Sequence, residues 1–145
     1  MVRTWTSWRS ERALLLATAA IGSACVGTTQ ETTPSVTGAV TGQVRRQSGT
    51  AVGGALLGFT LTTQPVGGTA TLLSSASLTA DDQGNYTLVF IVPGAAQTAV
   101  LSVAVTPPIG SGLLGKDTSG LALRLSTAYP PPDTTYLFFD LAPRQ

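Results

Sequence analysis

From Val36 to Leu141 the apolar residues fall on every second position, and almost nowhere do they recur at the three-to-four spacing of a helix. Period-2 alternation puts one side of an extended chain in a core and the other in water, so it commits a segment to half-buried strands. Val36, Val40 and Val44 share one face, with Gly38 and Gly42 between them. Leu57, Phe59 and Leu61 repeat the pattern, as do Tyr86, Leu88, Phe90 and Val92, then Ala99, Leu101, Val103 and Val105, and then Leu121, Leu123 and Leu125. Thr69–Leu73 and Ala76–Ala80 read as two short strands, and Thr134–Leu141 as the last.

Turn residues separate these runs: Ser48-Gly49-Thr50, Pro65 to Gly68, Asp81 to Asn85, Pro93-Gly94, Pro107-Pro108 and the proline run Tyr129-Pro130-Pro131-Pro132-Asp133, a stiff extended link. Short strands at regular spacing, without helices between them, predict an all-β chain. The expected fold is an antiparallel β-sandwich of seven to eight strands, transthyretin-like or Ig-like, over residues 36–145. About 110 residues can bury roughly two-thirds of their unfolded surface, enough for a core without disulfides.

The first 35 residues have a different grammar. Arg3, Arg9 and Arg12 precede the small apolar run ALLLATAAIGSA at residues 13–24, and Cys25, the only cysteine of the 145-residue chain, follows. A charged start, a short apolar stretch and small residues before a cut site are the marks of a secretory signal, expected to be helical over residues 1–24. The run is shorter than the ~20 residues that cross a bilayer as a helix. Ile21-Gly22-Ser23-Ala24-Cys25 resembles the lipobox of bacterial lipoproteins. That resemblance implies a diacylated Cys25 at the start of the mature chain. Gly22 and Ala24 equally suit an ordinary signal peptidase, which cuts at the same bond. A lone cysteine has no internal disulfide partner. Residues 26–35, VGTTQETTPS, suit a flexible tether. Two acyl chains would anchor stably where one does not. The expected location is therefore the cell envelope, with the membrane as a partner through the lipid anchor.

A second resemblance lies in residues 38–106. Val40-Thr41-Gly42-Gln43-Val44, then Ser48 to Ala55, then Leu78-Thr79-Ala80-Asp81-Asp82-Gln83-Gly84-Asn85-Tyr86-Thr87-Leu88 are similar to the carboxypeptidase regulatory-like domain. The longer stretch from Leu57 to Ala80 also resembles invasin-type bacterial Ig-like domains. Both families imply a sandwich without catalysis. The turn motif has a physical reading of its own: Asp81 caps the turn, Gly84 takes a positive φ, and Tyr86 points inward to start the next strand.

Charged residues are 10% of the chain, against roughly 25% in an average domain. Beyond residue 24, five basic residues stand against six acidic ones, a formal charge of −1. No basic face for nucleic acid is expected, and Arg45-Arg46 reads as a solvated strand end. Gly110 to Asp117 matches a glycine-rich nucleotide loop in letters. Such a loop needs a helix directly after it, and Leu121–Leu125 alternates as a strand, so a flexible loop and no nucleotide are expected. Asp81-Asp82 lacks the alternate acids and closing glutamate of a calcium loop. With no histidine, a Ser-His-Asp triad and histidine metal sites are excluded. The chain is accordingly expected to be no enzyme and to hold no cofactor or metal. Near its end, alternation puts Tyr136 and Phe138 on one face and Phe139 on the other. The first pair are candidate binding aromatics, for a glycan or an envelope protein.

Overall fold

The computed structural model describes residues 33–64 and 67–145; the signal segment, Cys25 and most of the tether lie outside them. The described chain has no helix and forms seven strands: β1 Ser35–Arg46, β2 Leu56–Thr63, β3 Leu72–Thr79, β4 Asn85–Pro93, β5 Gln97–Thr106, β6 Lys116–Leu125 and β7 Thr134–Leu141. They build two sheets, one ordered β4-β1-β7 and the other β3-β2-β5-β6. This is the expected sandwich, at seven strands.

The sheets face each other through the predicted alternation. Val36, Val40, Val44, Phe90, Val92, Phe139 and Leu141 from one meet Leu57, Phe59, Leu61, Leu101, Val103, Leu123 and Leu125 from the other, all at most 3% exposed. Phe59 sits at the centre, its ring centroid 5.9 Å from that of Tyr86 and 6.3 Å from that of Phe90. Phe139 stacks on Tyr86 at 6.1 Å. Offset and edge-on rings at such distances add to the gain from burial.

All the ladders are antiparallel except one. β1 pairs antiparallel with β4, but β7 lies beside β1 in parallel, with Gly42 opposite Leu137 and Arg45 opposite Asp140. At its N-terminal end, where β7 has not begun, β1 pairs with Ser126 instead: Thr37 N–H donates to the Ser126 carbonyl, and Ser126 N–H donates back to the Thr37 carbonyl.

Three expectations need correcting. Thr69–Leu73 and Ala76–Ala80 are not two strands; Leu72–Thr79 runs unbroken, because pairing with β2 carries it through Ser74 and Ser75. The only irregularity there is a register shift at Leu61/Thr62 of β2. The glycine stretch 110–117 is not a free loop. Leu113 is buried, Leu114 N–H donates to the Ala142 carbonyl, Arg144 N–H donates to the Gly112 carbonyl, and β6 already begins at Lys116. The link before β7 is not uniformly extended: residues 127–130 bend, and the Tyr129–Pro130 peptide is cis.

Candidate functional site

The turn motif is built around one carboxylate. Asp81 Oδ1 accepts from the Gln83 N–H at 2.9 Å and the Asn85 N–H at 2.7 Å, while Gly84 N–H donates to the Asp81 carbonyl. Gly84 has φ +73°, and a Cβ there would come within 2.3 Å of the Val44 carbonyl oxygen. The turn is thereby pressed against β1, where Val44 N–H donates to the Gly84 carbonyl. Tyr86 follows, facing inward. Its hydroxyl crosses beneath Gly42 and donates to the Leu137 carbonyl at 2.7 Å. Burial pushes this phenol well above its ordinary pKa. Gly42 makes the crossing possible: a Cβ on it would lie 1.7 Å from the Leu137 oxygen and 2.8 Å from the Tyr86 hydroxyl. Asp81, Gly84 and Tyr86 thus act as one device that fastens β4, β1 and β7 together.

The candidate binding aromatics lie on the far side of that sheet. Because Leu137, Phe139 and Leu141 face the core, Tyr136, Phe138 and Asp140 face out. Tyr136 is 68% exposed and Phe138 54%. Register places Thr41 and then Thr87 beside Tyr136, and Gln43 and then Asn85 beside Phe138. The hydroxyls of Thr41 and Thr87 lie 2.8 Å apart, hydrogen-bonded to each other. Val89 and Ile91 of β4 complete the apolar part of this outer face.

Arg45 and Asp140 close the face. Arg45 Nε donates to Asp140 Oδ1 at 2.6 Å, with Nη2 3.5 Å from Oδ2. The guanidinium carbon sits 5.1 Å from the centroid of the Phe138 ring, within cation–π range. The Arg45 hydrogen bond holds the Asp140 carboxyl below the ordinary carboxylate range. Arg45 is therefore not a simple solvated strand end. Its partner is 95 residues away in sequence, and only the parallel β1–β7 register brings the two together. Val89, Ile91, Arg45 and Asp140 belong to the face although only Tyr136 and Phe138 were legible as candidates. Tyr129, 73% exposed, is not on β7 and takes no part in this face.

A groove of about 530 Å³ opens at the end of the sandwich where β5 passes into β6, lined by Pro107, Pro108, Ile109, Gly112, Leu113 and Arg144. Ile109 is fully exposed there. No group of three or more metal-ligating side chains is found among the described residues. Cys25, the expected lipidation residue, lies outside the described residues.

No model of a protein family matches the chain, and no curated protein matches it either. Among solved structures it is similar to 3-chlorocatechol 1,2-dioxygenase from Rhodococcus opacus 1CP, at 15% identity and a TM-score of 0.49, over 74% of this chain and 60% of that one. It is also similar to chlorocatechol 1,2-dioxygenase from Pseudomonas putida, at 12% identity and a TM-score of 0.46, over 79% of this chain and 63% of that one. The chain thus spans somewhat over half the length of either. The expectation that the chain is no enzyme is corrected by these neighbours. Both are described as dioxygenases, and a fold by itself does not decide whether a chain catalyses.

Proposed function

We propose that the chain is an exported envelope lipoprotein, held to the membrane through Cys25, whose β-sandwich presents the outer face of the β4-β1-β7 sheet as a binding surface. The motif residues Asp81, Gly84 and Tyr86 support reading the domain as carboxypeptidase regulatory-like. The observation that carries the binding role is the pair of half-exposed rings, Tyr136 and Phe138, on a face with Val89 and Ile91. Exposed apolar side chains gathered on one face, with polar groups around them, mark contact surfaces more often than scattered ones do.

A glycan is the second reading, and one detail favours it. Phe138 already has Arg45 against its ring, whereas Tyr136 stands beside the hydroxyl pair Thr41–Thr87. A ring for stacking next to hydroxyls for hydrogen bonding suits a sugar. Glycan-array binding abolished by Tyr136→Ala and by Phe138→Ala supports this reading. Retention of an envelope protein by the wild-type chain, lost in the same variants, with no glycan bound, supports a protein ligand. Array and retention results that the two substitutions leave unchanged would remove the face from the proposal. Intact mass spectrometry of the chain from membranes tests the anchor separately: an unmodified Cys25 thiol sinks the lipoprotein reading.

A further inference from the structure

We infer that the free edge of β7 pairs with β7 of a second copy of this chain, antiparallel, about a two-fold axis at Leu137. The argument starts from which backbone groups point outward. The Leu137 carbonyl points toward β1, close under Gly42, and the Leu141 carbonyl also points that way, accepting from Gln47 N–H. Backbone groups alternate along a strand, so those of Thr134, Tyr136, Phe138 and Asp140 point to the open side. There they meet no strand of the sheet, because β7 is its last member.

This edge accepts an added strand beyond its end. Leu113 forms an antiparallel bridge with Pro143, with Leu114 N–H donating to the Ala142 carbonyl and Arg144 N–H to the Gly112 carbonyl. Those groups continue the same open side. Of the three isolated bridges it is the one that extends an edge strand, since the other two involve β1. The other three edges, β3, β6 and β4, are less suitable. The pairing of β3 with β2 shifts register at Leu61/Thr62. β6 carries Lys116, Asp117 and Arg124, and its pairing is broken where Ser119 and Gly120 are skipped. Charges and bulges of this kind discourage edge pairing. β4 ends in Pro93. β7 has no proline, no lysine and no register shift against β1 over its eight residues.

A second copy fits because the edge is self-complementary. With Leu137 opposite Leu137 of the second copy, Tyr136 faces Phe138 of the second copy, and Thr134 faces Asp140. All four outward-pointing residues on each side then form hydrogen-bonded pairs. Two aromatic pairs stand directly across the junction, a favourable arrangement in antiparallel sheets. No like charges oppose each other. The pairing also ends where it must: Leu114 occupies the edge at Ala142, and Pro132, which would come next on the second copy, has no N–H to offer. The shared strand length is about 26 Å at ~3.3 Å per residue. The resulting six-stranded sheet joins the outer faces of both copies, whatever ligand they take.

The test uses the full chain in mild detergent, with Cys25→Ser added only for the oxidation arm so that no other thiol can cross-link. Sedimentation equilibrium over rising concentration is expected to show a mass that doubles. Tyr136→Lys and Phe138→Lys, both on exposed positions, are expected to leave it monomeric with an unchanged circular dichroism spectrum. Register is tested by oxidation. An equal mixture of Tyr136→Cys and Phe138→Cys chains is expected to cross-link, since paired Cα atoms about 5.5 Å apart accept a disulfide, while either variant alone is not. A monomer mass at every concentration overturns the inference. So does a dimer that both lysine variants leave intact, or Tyr136→Cys alone cross-linking as well as the mixture.

Discussion

Each sheet has a glycine in the middle of an inner strand, and the two use it in opposite ways. Gly42 of β1 faces the core, where the Leu137 carbonyl and the Tyr86 hydroxyl fill the space a Cβ would need. Gly58 of β2 faces out, and a Cβ there would meet nothing nearer than the Ala104 carbonyl oxygen at 4.0 Å. The outer faces differ in the same spirit. Beyond Gly42 lie Tyr136, Phe138, Val89 and Ile91; around Gly58 lie Ser77, Thr60, Ser75 and Ser102. One sheet is tied together by a buried tyrosine and carries rings on its back. The other is held by ladders that shift register at Leu61/Thr62 and between Leu101 and Val103, and small hydroxyls surround Gly58 on its back. The inner alternation is common to both, so it specifies the sandwich. The exposed Tyr136, Phe138, Val89 and Ile91 lie on the outer positions of one sheet only.

The comparison predicts unequal responses to the same substitution. Gly42→Ala should cost about 4 kcal/mol, combining an overpacked core with a lost buried hydrogen bond. Urea unfolding would measure it, and a cost below about 1 kcal/mol would break the contrast. Tyr86→Phe should cost about 1–3 kcal/mol, because the Leu137 carbonyl loses its buried donor. The same residue sets an alkaline limit. Its folded pKa lies above its unfolded value of about 10, so its contribution is complete below that pH and drains away as pH rises beyond it. Tyr86→Phe should remove that part of the alkaline slope.

Smaller effects sharpen the contrast further. Gly58→Ala should stabilise by about 0.4–1 kcal/mol, since its φ is not positive and the alanine restricts the unfolded chain. Tyr136→Ser and Thr60→Ala should each change stability by less than about 0.5 kcal/mol in the same unfolding assay. Only the first should affect ligand binding. Asp140 has a depressed folded pKa, so its pairing with Arg45 holds above the ordinary carboxylate range and is lost as pH falls through the lower, folded value. Carboxyl-carbon NMR of Asp140 should titrate below a free aspartate, and the Phe138 ring shifts should move with it. Arg45→Gln should return the titration to the ordinary range.

The strands were legible because burial and alternation are the same fact read at two levels. Leu57, Phe59 and Leu61, or Ala99 to Val105, announce their inner faces letter by letter. The Asp81–Tyr86 turn was legible for a similar reason: its chemistry is local. Ser74-Ser75 misled, since serines that signal a turn in isolation sit comfortably on a strand once a neighbour pairs with it. Gly110–Gly115 misled in the other direction, since what pins it is the distant segment Ala142–Arg144. Tyr136 and Phe138 were visible as aromatics on one face. Arg45 and Asp140 were not, because nothing in either neighbourhood reports a parallel pairing across 95 positions. Gly42 stood out only as a gap in a valine pattern; the tyrosine that fills the gap comes from another strand.

The parallel contact between β1 and β7 also governs how the domain answers a mechanical load. A pull at Ser35, where the described chain enters β1, and a counter-pull at Leu141, where β7 ends, act in opposite directions along neighbouring strands. That geometry is shear. The rungs from Ala39 to Arg46 are strained together instead of parting one after another, as they would if the strands were peeled from one end. Resistance to such a pull is set by the height of the unfolding barrier and not by equilibrium stability. The Tyr86 hydroxyl, bonded to Leu137 midway along the seam, acts as a cross-bolt in that direction. Stretched between Ser35 and Leu141 in a force spectrometer, the domain should rupture in one step, at a force that Tyr86→Phe lowers.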